Sequence, residues 1–151
     1  MLPSWYGIAY PTIEKLEAYA WQLGAVVMRG PVPAFCALPT EDGDTAVIGI
    51  PDTAGPLETA WLLAHELGHL ALHLGYISPW TRDRQELQAF RWAACALIPE
   101  SRIRHHGNAS PDALLAALSA HYEDLPYIDC PARCLAAKIA RIRLHVLEVS
   151  A

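Results

Sequence analysis

The sequence predicts one α+β domain, in which a small, mostly antiparallel three-stranded sheet packs on a pair of helices and a helical extension follows. The chain has 151 residues, of which 53% are hydrophobic and 18% charged, as is typical of one globular domain with its own core. Three short β-type runs lie near the start, and apolar residues recur at helical spacing through most of the remainder. We expect a single domain over residues 1–151, with a core over 11–99 and a helical extension over 100–151.

The first half of the chain is predicted to contain a helix, three strands and a second helix. Residues 11–23 predict a helix, because Pro11 suits a first turn and Gly24 suits a C-terminal stop. Strands are predicted at 25–28, 34–38 and 45–50, with a hairpin turn at 41–44 between the last two. A helix over about 57–74 follows, and Gly75 is expected to end it.

The second half is predicted to be entirely helical. Helices are expected at about 83–97, ending near Pro99, then at 99–106, at about 111–122 after a capping Ser110, and at 131–148. No apolar run reaches the roughly 20 residues of a membrane span, and no secretory signal is visible at the N-terminus. We therefore expect a cytoplasmic protein that does not bind membranes.

Charge and cysteine content argue against two further classes of protein. The net charge of −5 does not favour binding to a phosphate backbone, so direct nucleic-acid binding is not expected. The basic residues of the last predicted helix are interpreted as a solvated face: Arg133, Lys138, Arg141 and Arg143. The four cysteines are expected to be reduced thiols, and a second metal site using Cys130, Cys134 and His121 is not favoured.

An H-E-x-x-H motif lies in the helix over 57–74. His65 and His69 are four residues apart and so share one helix face, where both imidazoles can meet one metal ion. Glu66 lies close enough to act on a water molecule there. The alternative is a pair of ordinary histidines beside a solvated Glu66, but an ionised Glu among apolar residues is costly without a partner. The expected buried face consists of Leu63, Leu67, Leu70 and Leu74.

A catalytic zinc site needs a third protein ligand. His73 is eight residues after His65, roughly 12 Å along a straight helix, so one ion cannot be held by His65, His69 and His73 together. The remaining candidates are carboxylates further along the chain, Asp83, Glu86 and Glu100. Glu86 is preferred, because a helix that reverses direction after the loop would bring it over the histidine pair, and Asp83 is the fallback.

Two blocks of sequence resemble the ImmA/IrrE metallopeptidase family. Residues 63–73 follow its L-A-H-E-L-G-H-L-x-L-H pattern, and residues 86–99 follow E-x-x-A-N-x-F-A-x-x-L-L-M-P. The second block matches at Glu86, Ala89, Ala93, Leu97 and Pro99. It departs at Phe90, where Asn or Asp is usual, and at Trp92, where Phe is usual.

The resemblance implies a zinc-dependent metallopeptidase built on a zincin-like helix pair. It implies one Zn²⁺ per chain, held by His65, His69 and Glu86, with Glu66 as the catalytic acid and base. The implied protein substrate is a helix-turn-helix repressor of a phage, mobile-element or stress-response system. The last two helices look like the family's all-α extension, a degenerate helix-turn-helix.

Several points stay open at the level of sequence. One alternative is a non-catalytic zinc-containing protein that sequesters a repressor or antitoxin, and a weaker one is a DNA-binding regulator that uses residues 111–148. A substrate could add a strand along residues 45–50, by analogy with other zinc proteases. Trp80 is a candidate for lining the substrate cleft. Candidates for stabilising an oxyanion are Tyr76, His105, His106 and Tyr127.

Overall fold

The computed structural model describes residues 2–37, 45–73, 79–105, 111–122 and 130–150. Over these residues the chain forms six helices and three strands. The first half contains α1 (Ile13–Gln22), β1 (Ala25–Gly30), β2 (Phe35–Ala37), β3 (Ala46–Pro51) and α2 (Pro56–His73). The second half contains α3 (Arg82–Leu97), α4 (Glu100–His105), α5 (Pro111–Tyr122) and α6 (Cys130–Ser150). The predicted α+β class and the order of elements are confirmed.

The ends of α1 follow from local chemistry. The hydroxyl of Thr12 accepts a hydrogen bond from the backbone N–H of Lys15 at 3.2 Å, which caps the first turn. Pro11 therefore precedes the cap instead of lying in the first turn. Gly24 has φ of 83°, a left-handed conformation that favours glycine, and it lies just beyond the end of the helix as predicted.

The sheet is mixed, so the prediction of a mostly antiparallel sheet is not confirmed. The strand order is β1-β3-β2, with β3 parallel to β1 and antiparallel to β2. The longer ladder is the parallel one, from Ala25 opposite Ala46 to Gly30 opposite Pro51. The central β3 is buried at Ile48, Gly49 and Ile50 in succession, as expected for a strand with neighbours on both edges. The predicted turn at 41–44 lies outside the described residues.

Helix α2 occupies the centre of the domain. It packs against α1, β3 and, most extensively, α3. Leu63 and Leu67 are fully buried and Leu70 nearly so, which confirms the predicted apolar face over the described part of α2. Leu74 and Gly75 lie outside the described residues. Burial of α2 among several neighbours fixes where its polar face points.

The helical extension is tied to the core by two buried hydrogen bonds. Tyr122, at the end of α5, donates its hydroxyl to the carbonyl of Pro11 at 2.7 Å. Arg143 of α6 donates its Nε to the carbonyl of Ile98, just past the end of α3, at 2.8 Å. Arg143 is only 5% exposed, so the expectation of a solvated basic face is wrong at this position. The reason is that α3 ends with carbonyls that lack helical partners, which a guanidinium can satisfy.

Within the described ranges, none of the helices is both long enough and apolar enough to cross a membrane.

Candidate metal centre

The candidate metal site lies between α2 and α3, whose backbones approach closely at Gly68. A Cβ added at Gly68 would lie 3.0 Å from the carbonyl oxygen of Ala89 and 3.1 Å from its Cα. Those distances are shorter than ordinary van der Waals contacts, so a side chain here would push the two helices apart. The absence of a side chain within the H-E-x-x-H motif therefore lets α3 lie against α2. Glu86, one turn before Ala89, is carried to the face of α2 that bears the histidines.

The two histidines converge on one carboxylate. Nε2 of His65 lies 3.1 Å from one oxygen of Glu86, and Nε2 of His69 lies 2.9 Å from the other. The donor atoms of the three residues all lie within 4.8 Å of one another, and no other group of three His, Cys, Asp or Glu side chains in the described part of the chain meets that condition. The structure thus brings together the three residues that the sequence favoured. Asp83 is exposed and, like Glu100, is not part of the group.

The donor set fits a divalent metal ion such as zinc. Two imidazole nitrogens and one carboxylate form a recognised catalytic zinc set. At metal–ligand distances of about 2.0–2.1 Å, ligands in a tetrahedron are separated by roughly 3.3 Å, which is close to the two separations observed. His65 and His69 are 8% and 3% exposed, whereas the side chain of Glu86 is 34% exposed. The site is therefore closed on the histidine side and open to solvent on the carboxylate side.

Burial sets the charge state of the groups around the site. It lowers the pKa of His65, and the neighbouring His69 lowers it further, so the imidazole is neutral at neutral pH, as a metal ligand must be. Burial also raises the pKa of the Glu66 carboxyl to about 7, and the nearby Glu86 carboxylate adds to the rise. Glu66 therefore lies within electrostatic reach of the candidate ligand Glu86.

An aromatic cluster that the sequence motifs do not predict lies against His65. The Phe90 ring lies 4.2 Å from the His65 ring between centroids, and Trp61 stacks on Phe90 at 5.6 Å and 16°. The ammonium of Lys138 lies 4.9 Å from the Phe90 centroid. Trp61 is four residues before His65 and Phe90 four after Glu86, a helical spacing that places each beside a ligand. No local pattern predicts Lys138, which comes from α6.

The expected substrate strand at residues 45–50 is wrong. Strand β3 is hydrogen-bonded to β1 on one side and to β2 on the other, so it has no free edge. Strand β2 lies at one edge of the sheet. The pKa of its Cys36 thiol is raised to about 11, mainly by burial and further by the Glu66 carboxylate. Of the described strands, β2 is therefore an edge strand within electrostatic reach of Glu66.

The other residues that the sequence analysis considered for the site lie partly in the described structure and partly outside it. Trp80 is 95% exposed. His73 is the last residue of α2 and His105 the last of α4, and the side chains of both lie outside the described structure. Tyr76, His106 and Tyr127 lie wholly outside it.

Comparison with known proteins agrees with this geometry. The model of the IrrE N-terminal-like domain family matches residues 22–123, which include α2, α3 and all three candidate ligands. No curated protein and no solved structure shows a significant match to the chain. The match covers well over half of the sequence and contains the helix pair that forms the site. The chain therefore belongs to the IrrE N-terminal-like domain family, whose function is of the metallopeptidase type.

Proposed function

We propose that this protein is a zinc-dependent metalloendopeptidase. The observation that carries the proposal is the convergence of His65 and His69 on Glu86, with Glu66 beside them. His65, His69 and Glu86 would hold the zinc ion, and the partly exposed side of the site at Glu86 leaves room for a reactant. When bound, the ion supplies a Lewis acid that polarises a carbonyl and lowers the pKa of water toward about 7.

Glu66 is assigned the proton transfers of peptide hydrolysis. Its carboxylate accepts a proton from water as the water oxygen attacks the carbonyl carbon of the scissile peptide. The same carboxyl then donates that proton to the amide nitrogen as the C–N bond breaks, which releases an amine and a carboxylic acid that loses its own proton at neutral pH. Glu66 is partly buried, which limits the access of competing water to its carboxylate.

The proposed substrate is a protein segment in extended conformation, in a helix-turn-helix repressor of a phage, mobile-element or stress-response system. Among the described strands, β2 pairs only with β3, so its other edge is open to an added strand, and its Cys36 lies within electrostatic reach of Glu66. The half-exposed ring of Phe35 on the same strand offers an apolar contact for a substrate side chain. We also propose a cytoplasmic location, which fits the free thiols of Cys36, Cys95 and Cys134.

The test compares the wild-type chain with Glu66→Gln, each loaded with one zinc ion. A peptide library derived from a bacterial proteome is incubated with each protein, and new N-termini are counted by mass spectrometry. We expect the wild type to generate cleavages with a common residue preference, and Glu66→Gln to reduce their rate by about 10²–10⁴-fold. Zinc content should be the same in both proteins, since Glu66 is not a ligand.

The outcome also separates the peptidase from a protein that only binds its partner. A zinc-loaded wild type that yields no more cleavages than Glu66→Gln would contradict hydrolysis. The alternative, sequestration of a repressor or antitoxin, would then be favoured if Glu66→Gln keeps wild-type function in the cell. An intact Glu66 supports the peptidase, because hydrolysis needs that carboxylate and sequestration does not.

A further inference from the structure

Lys138 of the helical extension places a positive charge beside the candidate metal site. The residue is exposed, and its ammonium lies 4.9 Å from the centroid of the Phe90 ring. The Phe90 ring lies 4.2 Å from the His65 ring between centroids. Because these two distances, 4.9 and 4.2 Å, add end to end at most, the ammonium lies no further than about 9 Å from the centre of the His65 ring.

Two aromatic rings hold the ammonium in this position. Trp61 stacks on Phe90 with an angle of 16° between the planes, and the ammonium lies 6.0 Å from the Trp61 centroid. A cation over the faces of aromatic rings is attracted by their quadrupoles. Among the described residues, no carboxylate forms an ion pair with Lys138, although the whole chain has a net charge of −5. The ammonium is therefore positioned but has no counter-ion in the described structure.

The charges of the candidate site itself favour a negatively charged ligand. With a divalent ion bound, the carboxylates of Glu86 and Glu66 would offset at most its two charges. The Lys138 ammonium would then leave the surroundings of the site positive, within a chain that is acidic overall. A positive site attracts and orients anionic groups, above all where the cation is already fixed in place.

A bound peptide can reach this cation. An extended chain advances about 3.3–3.6 Å per residue, so a residue two or three positions from the scissile bond lies roughly 7–10 Å from it. The ammonium of Lys138 is within that range of the candidate ligand His65. The spacing of Trp61 four residues before His65, and of Phe90 four after Glu86, places the two rings on the same helix faces as the ligands. Lys138 therefore borders the face that holds the candidate site.

We propose that Lys138 is a specificity-determining residue, which binds a carboxylate of the substrate two or three residues from the scissile bond. The inference rests on the proposed peptidase function and names its substrate class, which is acidic peptides. Asp and Glu side chains carry such a carboxylate, and so does a C-terminal residue. The chemistry that Lys138 recognises is the same in both cases, and the experiment separates the two sources.

The first test compares the zinc-loaded wild type with Lys138→Met and Lys138→Glu on the proteome-derived peptide library. Met keeps an unbranched apolar side chain against the two rings and removes the charge. The position at which Asp or Glu is enriched in the wild-type cleavages is then tested with a peptide that carries Glu there and its Gln counterpart. We expect kcat/KM to favour the Glu peptide by about 5-fold in the wild type, as for an exposed ion pair. The ratio should fall to about 1 in Lys138→Met and invert in Lys138→Glu.

Two controls define the origin of the preference. Lys15→Met removes the same charge from an exposed lysine of α1 and should keep the wild-type ratio. Amidation of the peptide C-terminus removes the other source of a carboxylate. If amidation abolishes the preference, Lys138 binds the C-terminal carboxylate, and if the preference persists, it binds the side chain. A preference for acid that survives in Lys138→Met would belong to the metal ion and would overturn the inference.

A second measurement does not depend on hydrolysis. Two pools of fluorescein-labelled octapeptides of random neutral residues, with one Glu or one Gln per peptide, are titrated with zinc-loaded Glu66→Gln and followed by fluorescence anisotropy. The Glu pool should bind more tightly by up to about fivefold, and Lys138→Met in the same background should remove the difference. Equal binding of both pools would overturn the inference. A wild type that cleaves no peptide, while its Glu66→Gln variant retains the difference in binding, would refute the proposed hydrolysis and leave the role of Lys138 intact.

Discussion

The close approach of α2 and α3 at Gly68 predicts that Gly68→Ala destabilises the protein, although Gly→Ala within a helix is ordinarily stabilising. In the interior of a helix, Gly→Ala ordinarily stabilises by about 1 kcal/mol through helix propensity. In Gly68→Ala, the new methyl would lie 3.0 Å from the carbonyl oxygen of Ala89 and 3.1 Å from its Cα. Both atoms belong to the buried backbone of α3, which cannot rotate away as a flexible side chain could.

Overpacking of this kind costs about 1–3 kcal/mol. The gain in helix propensity offsets part of this cost, so Gly68→Ala should lower the free energy of unfolding by about 1 kcal/mol. For a chain of this size that corresponds to a fall in Tm of roughly 3 °C. The assay is urea unfolding of the metal-free proteins followed by circular dichroism, because bound metal would add a stabilisation of its own. The same samples report the m-value, which should be unchanged.

A matched control measures the contribution of helix propensity alone. Leu72 lies in the same helix and is 49% exposed, so the pair Leu72→Ala and Leu72→Gly compares Ala with Gly where nothing crowds the side chain. There the Ala variant should be the more stable. If Gly68→Ala were also more stable than the wild type by about 1 kcal/mol, the proposed steric reason for Gly68 would be refuted. The position of Glu86 over the histidines would then need another cause.

The other predictions concern the third ligand and the helical extension. Glu86→Gln should lower zinc affinity at least 100-fold with the fold retained, because it replaces a charged ligand with a neutral amide; isothermal titration calorimetry measures this, and unchanged affinity would exclude Glu86 as a ligand. Arg143→Met should lower the free energy of unfolding by about 2 kcal/mol, because the carbonyl of Ile98 loses a buried, charge-assisted donor. Arg143→Lys is the control for charge alone, and denaturant unfolding that shows no loss in Arg143→Met would contradict the role assigned to this contact.

Much of the fold could be predicted because local chemistry determines it. The start of α1 after Thr12 and its end before Gly24 depend on a capping hydroxyl and a left-handed glycine, both of which are properties of a few adjacent residues. The shared face of His65 and His69 follows from the 3.6-residue period in the same way. Loop length and helix direction favour Glu86, and the structure does place it opposite both histidines.

The order of the strands was decided only by tertiary structure. The apolar run of β3 shows that the strand is buried, but it does not show which strands lie beside it. A parallel partner such as β1 is separated from β3 by an intervening strand, so its choice depends on how the chain packs on α2. The prediction of a mostly antiparallel sheet failed for this reason, and so did the expectation of a free edge at residues 45–50.

The sequence by itself determined most of the elements and the H-E-x-x-H face, because periodicity, caps and motif spacing act within one or two turns of helix. It also favoured a ligand set of His65, His69 and Glu86, with Asp83 as the fallback to Glu86. Only the tertiary structure decided what surrounds that set. It placed Phe90 against His65, brought Lys138 over the Phe90 ring and buried Arg143 against the end of α3. Those contacts join residues that are 25 to 48 positions apart in the chain. Their formation depends on the burial of whole helices, which no local pattern specifies.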